Sequence, residues 1–135
     1  MSHPYVHAES SAKIFGGVAE DYIKIHSWYD ETKAWTPDWR HRAIRHHVEG
    51  IRECMSIFGE TVINSEGKEV SLLEIGVQHQ IEDVGFLPTA KDWFDHFDEQ
   101  SWEDFRNEKV HERIRLPKEI GEKIPKSVRE ILVTL

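Results

Sequence analysis

Three segments of this chain place a histidine about one helical turn before a carboxylate. Residues three or four apart lie on the same face of a helix, so in each segment both side chains can project to one side. Helical bundles build sites for zinc, iron or manganese from imidazole nitrogens and carboxylate oxygens on neighbouring helices. The pattern therefore predicts a site for a divalent transition metal. The pairs are His26 with Asp30, His46 with Glu49, and His79 with Glu82 and Asp83.

The predicted metal ligands are drawn from these pairs and from a histidine beside one of them. They are His26, Asp30, His46, His47, His79 and Glu82, with Asp83 as a further candidate. Successive residues of a helix are rotated by about 100°, so His46 and His47 cannot both face the site, and the sequence leaves open which of them does. His41 adds another nitrogen donor in the same segment.

A plain surface pair of histidine and carboxylate is the alternative explanation for each segment. No strong metal motif supports the site, because the H-E-x-x-H pattern is absent and a single cysteine excludes the paired-cysteine zinc modules. The adjacent His-Asp pair of the histidine-aspartate phosphohydrolases is also absent, since Asp95 and His96 occur in the opposite order.

A dense basic cluster accompanies the histidines at residues 40–47 of an otherwise acidic chain. Arg42 and Arg45 are the predicted substrate-binding residues, because guanidinium groups hold phosphates and carboxylates through paired hydrogen bonds. Were the protein an enzyme, we would expect a metal-dependent hydrolase of a small anionic or phosphorylated substrate, with Glu82 or Asp83 as the catalytic base. Salt bridges to the many acidic residues are the alternative role of these arginines.

Composition and charge restrict the remaining function classes. The formal net charge of −8 disfavours nucleic-acid binding, although nine histidines are an unusual number for 135 residues. The single cysteine, Cys54, excludes an internal disulfide and favours a reducing compartment, so we expect a cytoplasmic protein. The sequence shows neither a leader pattern nor a long apolar run, and we expect neither export nor membrane insertion.

Hydrophobic periodicity predicts a single mainly α-helical domain over residues 1–135, with one small β-hairpin over residues 61–70. Gly16, Gly59 and Gly85 are predicted helix ends, Ser71 and Thr89 are predicted caps, and Gly76 conflicts with its helix. The predicted helices cover residues 4–15, 20–34, 36–58, 71–85, a segment from residue 88 to about 97, and residues 101–115.

Several short motifs together resemble an uncharacterised family of small bacterial and phage proteins, a domain of unknown function. The resemblance extends over most of the first 95 residues and implies no activity, substrate or catalytic residue. A phage occurrence would imply a role in host interaction or defence. The motifs are residues 7–13 with 15–17, residues 40–43 with 46–47, residues 64–65 with 67–68, and residues 78–79 with 82–85.

A non-catalytic binding or scaffolding protein is the alternative to a metal site. In that case we expect a homo-oligomer that contacts its partner through exposed aromatic residues and through the apolar end at residues 131–133.

Overall fold

The computed structural model describes residues 3–96, 122–123 and 125–127. The chain divides into two compact units, Met1–His96 and Phe97–Leu135. The first unit contains every predicted site residue and is described below. In the second unit, the described residues form short helical turns with exposed side chains. The predicted helix over residues 101–115, Phe97 of the preceding predicted helix and the apolar end at 131–133 lie outside the described residues, and the single domain over residues 1–135 stays a prediction.

The first unit is mainly helical with one antiparallel hairpin, which confirms the predicted fold class. Its helices are α1 (Pro4–Phe15), α2 (Ile23–Asp30), α3 (Arg42–Arg45), α4 (Val48–Phe58), α5 (Leu72–Val84) and α6 (Ala90–Phe94). The strands β1 (Thr61–Ile63) and β2 (Glu69–Ser71) form the hairpin, with Val62 opposite Val70. The predicted helix over residues 20–34 is interrupted, because 3-10 turns at Ala19–Asp21 and Glu31–Ala34 flank α2.

Local signals fix the ends of α1 and α5 as predicted. The ring of His3 caps α1 by accepting the amide of Tyr5, and Gly16 ends the helix with a φ of 90° that favours glycine. Ser71 caps α5 by accepting the amide of Glu74, and Gly85 ends that helix in the left-handed region. The predicted hairpin between α4 and α5 is likewise confirmed.

The predicted continuous helix over residues 36–58 is wrong. A 3-10 turn at Trp39–His41 leads into α3, and the helix stops at His46 before α4 begins. His47 is extended, with a φ of −163°, and its Nδ1 accepts the amide of Gly50 as the cap of α4. A Cβ atom on Gly50 would lie 2.0 Å from the carbonyl oxygen of Arg45, so this break requires glycine there.

Hydrogen bonds from two later segments stabilise the break between α3 and α4. The amide of Val48 donates to the carbonyl of Pro88, and the indole nitrogen of Trp93 donates to the carbonyl of His46. The buried side chain of Gln80 on α5 donates to the carbonyls of Arg45 and His47. These bonds satisfy backbone groups that a continuous helix would pair internally.

The apolar core lies where α1, α2, α4 and α5 meet beneath the hairpin. Gly76 in α5 belongs to this contact, because a Cβ atom there would lie 2.6 Å from the hydroxyl of Tyr29 and 2.9 Å from Ile51. Close approach of the helices explains a glycine that the helical pattern alone could not. The buried core residues are Ala8, Ala19, Tyr22, Ile25, Trp28, Tyr29, Ile51, Cys54, Val70, Leu72 and Ile75.

The break between α3 and α4 predicts a strong effect of the substitution Gly50→Ala. The new methyl group would overlap the carbonyl of Arg45, and we expect the free energy of unfolding to fall by about 1–3 kcal/mol, measured by urea denaturation. Glu53→Ala, at an exposed position of the same helix, is the control and should change it by less than about 0.5 kcal/mol. Equal stabilities of the two variants would contradict the described break.

Candidate metal centre

Six ionisable side chains meet in one buried group, named here the His/Asp cluster. One comes from α1, one from the end of α2, one from each end of α3, and two from α5. Their side chains are at most 4 % exposed, so water does not solvate their charges. The members are His7, Asp30, His41, His46, His79 and Asp83.

Four of the six approach most closely, around Nε2 of His46. This atom lies 3.0 Å from His79 Nε2, 3.0 Å from Asp83 Oδ2 and 3.4 Å from Asp30 Oδ1. The same nitrogen of His79 lies 3.3 Å from Asp83 Oδ2 and 3.5 Å from Asp30 Oδ1. The Nε2 atoms of His46 and His79 thus each lie within 3.5 Å of one oxygen of Asp30 and one oxygen of Asp83.

A chain of hydrogen bonds fixes the proton position on His79. The amide nitrogen of Gln78 donates to the carbonyl of His7, so its oxygen faces Ser11 and accepts the hydroxyl proton at 2.6 Å. The hydroxyl oxygen of Ser11 must then accept a proton from His26 Nε2, at 2.7 Å. His26 Nδ1 is therefore an acceptor, and it receives the proton of His79 Nδ1 at 2.9 Å. In the neutral ring, Nε2 of His79 then carries the lone pair and faces the cluster.

Glu82 orients His7 in a similar way. Its Oε1 accepts from His7 Nδ1 at 2.8 Å and from Gln78 at 3.0 Å, and its Oε2 accepts from Ser10 at 2.5 Å. With the proton on Nδ1, the Nε2 atom of His7 faces Asp83 Oδ1 at 3.1 Å. Burial opposes protonation of this ring, but Asp83 and Glu82 outweigh burial and raise the pKa of His7.

The backbone orients His41. Its Nδ1 donates to the carbonyl of Asp38 at 2.7 Å, which leaves the lone pair on Nε2. That nitrogen is buried, has no hydrogen-bond partner among the described residues, and lies 3.6 Å from Asp30 Oδ1. Burial is the main cause that lowers the pKa of His41, so the ring is neutral near pH 7.

The cluster is therefore rich in acceptors and poor in protons. In their neutral forms His7, His41 and His79 each direct a lone pair inward, and the two carboxylates add their oxygens. His7 has a raised pKa, and in its protonated form it donates from Nε2 to Asp83 Oδ1. Within residues 3–96, both oxygens of Asp30 are buried without a hydrogen-bond partner. With every imidazole neutral, His46 is the one member that can supply a proton to the rest.

Both carboxyls of the cluster are ionised at neutral pH. Burial alone would raise their pKa values, but the imidazoles of His46 and His79, whose Nε2 atoms lie 3.0 to 3.5 Å from the carboxylate oxygens, outweigh burial and hold the pKa of Asp30 and of Asp83 well below the usual range. Burial also lowers the pKa of His26 to about 2, so that ring stays neutral, as its hydrogen bonds require. Two carboxylate charges are therefore buried inside the fold, with Lys33 3.9 Å from Asp30 and Arg42 3.8 Å from Asp83.

The structure brings together three of the predicted ligands, Asp30, His46 and His79, and places the predicted base Asp83 beside them. It also shows which of the two adjacent histidines faces inward, since His46 lies in the cluster. His26 lies against the cluster, but both of its ring nitrogens are engaged in hydrogen bonds. Its contacts are those of a residue that orients a neighbouring imidazole.

Two predicted ligands lie outside the ring of inward-facing atoms. Glu82 reaches the outer nitrogen of His7 and is partly exposed. His47 points away, because Nδ1 caps α4 at Gly50 and Nε2 donates to the carbonyl of Ala43. Their roles as ligands, and that of Glu82 as a base, stay predictions that these contacts do not support.

The two predicted substrate-binding arginines differ in their surroundings. The Nε atom of Arg42 lies 3.8 Å from Asp83 Oδ2, and the side chain is 17 % exposed, so it connects the cluster with solvent. Arg45 donates to the carbonyl of Trp28 at 2.6 Å, lies over that indole ring and approaches Glu31. The guanidinium of Arg45 is thus engaged in packing.

Sequence reasoning did not select His7 as a ligand. The predicted pairs each have a carboxylate one helical turn after the histidine, whereas the acid that bonds His7 most closely is Glu82, 75 positions along the chain. The spacing of His7, Ser10 and Ser11 on one face of α1 was the available signal. The role of this face is apparent only from the structure, in which α1 packs against α5.

Comparison with known proteins identifies a protein family that matches this chain. The family described as "Domain of unknown function (DUF6915)" matches residues 2–103. This chain belongs to the DUF6915 family. The match agrees with the resemblance to an uncharacterised family seen in the sequence motifs, and the description of DUF6915 names no activity. No curated protein and no solved structure matches the chain. Among the described residues, no helix has the length and apolar character needed to span a membrane.

The hydrogen-bond chains predict the tautomer of each ring in the metal-free protein near pH 8. Long-range proton–nitrogen NMR correlations should show His79 and His41 protonated on Nδ1, and His26 on Nε2. His3 is an internal reference, because its Nδ1 accepts the Tyr5 amide and its proton must lie on Nε2. A proton on Nε2 of His79 would contradict the chain from Gln78.

Proposed function

We propose that this protein binds a divalent transition metal in the His/Asp cluster. The proposal is carried by one observation, the excess of inward-facing acceptors over protons at a site that water does not reach. Buried carboxylates are strongly unfavourable unless cations and donors compensate them, and the cations here, Lys33 and Arg42, are partly exposed and lie 3.8 to 3.9 Å from the carboxylate oxygens. A metal ion would accept the lone pairs of several cluster members at once.

The spacing of the inner atoms agrees with a four-coordinate ion. Ligand bonds of about 2.0–2.1 Å place the ligand atoms of a tetrahedral site about 3.3 Å apart. The Nε2 atoms of His46 and His79 lie 3.0 Å from each other and 3.0 to 3.5 Å from the nearest oxygens of Asp30 and Asp83. An ion would fit among these atoms without a large movement of the helices that carry them.

The outer hydrogen bonds also match those of metal-bound histidines. Such rings donate their second N–H to a carboxylate, a carbonyl or another acceptor, which fixes the tautomer and strengthens the ligand. His7 donates to Glu82, His41 to the carbonyl of Asp38, and His79 to His26. The residues needed to orient the ligands are therefore already in place.

The donor set favours zinc, iron or manganese. Imidazole with carboxylate suits these ions, whereas thiolate ligands would favour softer ones. Cys54 does not contribute, because it is buried in the apolar core and burial raises the pKa of its thiol to about 11. We therefore expect an ion bound through nitrogen and oxygen alone.

Hydrolysis of an anionic or phosphorylated substrate is a second candidate function, favoured by Arg42. This side chain is partly exposed, carries a positive charge beside Asp83, and has an Nε atom without a hydrogen-bond partner within the described range. Guanidinium groups of this kind bind phosphate and carboxylate oxygens. A bound metal would supply an acidified water as the nucleophile.

A non-catalytic role is the alternative. Four protein ligands that close a tetrahedron leave no position for a substrate, as in structural zinc sites. The ion would then stabilise the fold, and the protein would act through contacts with other proteins, including copies of itself.

The metal proposal predicts that protein purified without nickel resin contains near-stoichiometric metal by mass spectrometry of the elements. Removal by a chelator should lower the melting temperature by on the order of 10 °C, because a ligand at 100 times its Kd stabilises a protein by about 2.7 kcal/mol. Asp83→Asn and His79→Gln should lose the metal. His96→Gln, which changes an exposed histidine outside the cluster, should retain it.

A folded wild-type protein that stays metal-free after exposure to zinc, iron and manganese would refute the metal proposal. Circular dichroism of each variant separates loss of metal from loss of fold.

The hydrolase candidate predicts that metal-loaded protein cleaves a model phosphodiester such as bis(p-nitrophenyl) phosphate. Arg42→Gln should lower kcat/KM by about 10–100-fold, the value of a charged hydrogen bond, and Arg42→Lys should recover part of it. Arg40→Gln is the control, since Arg40 is exposed and paired with Asp38 outside the cluster. If the metal-loaded protein hydrolyses neither phosphate nor carboxylate esters, the hydrolase candidate is contradicted and the proposed metal binding is unaffected.

A further inference from the structure

A single tetrahedral ion leaves part of the His/Asp cluster unused. The tetrahedron takes Nε2 of His46 and His79 and one oxygen from each carboxylate. The Nε2 lone pairs of His7 and His41 remain, and so do the second oxygens of the two carboxylates. One divalent ion therefore does not satisfy the acceptors that the fold buries here.

The unused donors belong to the two donor sets that share Asp30, which are called here its two sides. On one side, His41 Nε2 is fully buried, lacks a hydrogen-bond partner in the part of the chain that the structure describes, and lies 3.6 Å from Asp30 Oδ1. On the other side, His7 Nε2 lies 3.1 Å from Asp83 Oδ1. Neither oxygen of Asp30 has a hydrogen-bond partner within residues 3–96, so this carboxylate has free lone pairs for both sides.

We propose that the cluster binds two metal ions that share Asp30 as a bridging ligand, an inference that rests on the proposed metal binding. With both ions bound, His46 ligates the second ion and His7 takes its place at the first. Within each donor set, one ligand atom per residue lies within 4.8 Å of the others. The sets are His7, Asp30, His79 and Asp83 for the first ion, and Asp30, His41 and His46 for the second.

The local charge predicts that the ions bind in order of affinity. Asp30, Asp83 and Glu82 contribute three negative charges, and Arg42 and Lys33 lie within 4 Å of the two aspartates. Two divalent ions exceed this negative charge, so the second binds more weakly and a bound anion favours it. Inorganic phosphate should therefore increase the affinity for the second equivalent.

The second donor set differs from the first in a way that bears on catalysis. It has three protein ligands and leaves a coordination position open, as catalytic metal sites do. Two ions that share a carboxylate are the arrangement with which phosphatases and nucleases bind both the attacking and the leaving oxygen. The second ion would thus provide the open coordination position that hydrolysis requires and that a single ion with four protein ligands lacks.

Titration of the chelator-treated full-length protein with Mn²⁺ tests the two-ion site, with and without inorganic phosphate. Elemental analysis after equilibrium dialysis should give two ions per chain, and electron paramagnetic resonance should show exchange coupling through the shared carboxylate. His41→Gln should bind one ion, with an uncoupled signal. His96→Gln should behave as the wild type.

The outcomes separate this inference from the proposed function. No bound ion in the wild type would overturn both, whereas saturation at one ion per chain would overturn the second ion alone. Two uncoupled ions would overturn the bridging role of Asp30, and two coupled ions in His41→Gln would overturn the role of His41. If circular dichroism shows that His41→Gln does not fold, the stoichiometry and coupling of the wild type decide.

Discussion

The burial of two ionised carboxylates, Asp30 and Asp83, is the constraint on which the rest of this structure depends. They lie at the centre of the first unit, their side chains are 4 % and 1 % exposed, and the nearest side chains are imidazoles. The cost of removing such charges from water is several kcal/mol for each ion, and only close positive or proton-donating groups offset it. α1, α5 and both ends of α3 therefore bring a nitrogen to these oxygens, while α2 contributes Asp30 itself.

The helices are arranged around this requirement. The stop at His46 directs one imidazole to the carboxylates, and the extended His47 turns the chain into α4. In a continuous helix, the directions of the His46 and His47 rings would be fixed by the helix, and the chain would not turn after His46. The break is therefore needed for the site as well as for the fold. Gly50 makes the break sterically feasible, and Gln80 and Trp93 satisfy the backbone groups that it frees.

The outer hydrogen bonds give the cluster its chemical character. Ser11, Gln78 and His26 form a chain of hydrogen bonds that places a proton on Nδ1 of His79. Glu82 and the carbonyl of Asp38 do the same for two other rings. Imidazoles oriented in this way present lone pairs, and a set of converging lone pairs is what distinguishes a metal site from a buried network of neutral hydrogen bonds.

Contacts between residues that are close in sequence could be predicted, whereas contacts between residues that are close only in space could not. Periodicity and capping residues predicted the bounds of α1, the hairpin and α5, because those signals act within one or two turns of chain. The same logic paired His79 with Asp83 and His26 with Asp30. It missed His7, whose partners are on α5, and it extended a helix through His46 and His47, because the contacts that stop the helix come from residues 80, 88 and 93.

Anomalous X-ray diffraction from zinc-soaked crystals, recorded on both sides of the zinc absorption edge, is the most direct measurement of the central claim. We expect at least one anomalous peak within the His/Asp cluster beside Asp30, with nitrogen and oxygen ligands at about 2.0–2.1 Å. A cluster without anomalous signal, in which protonated imidazoles donate directly to both carboxylates, would contradict it.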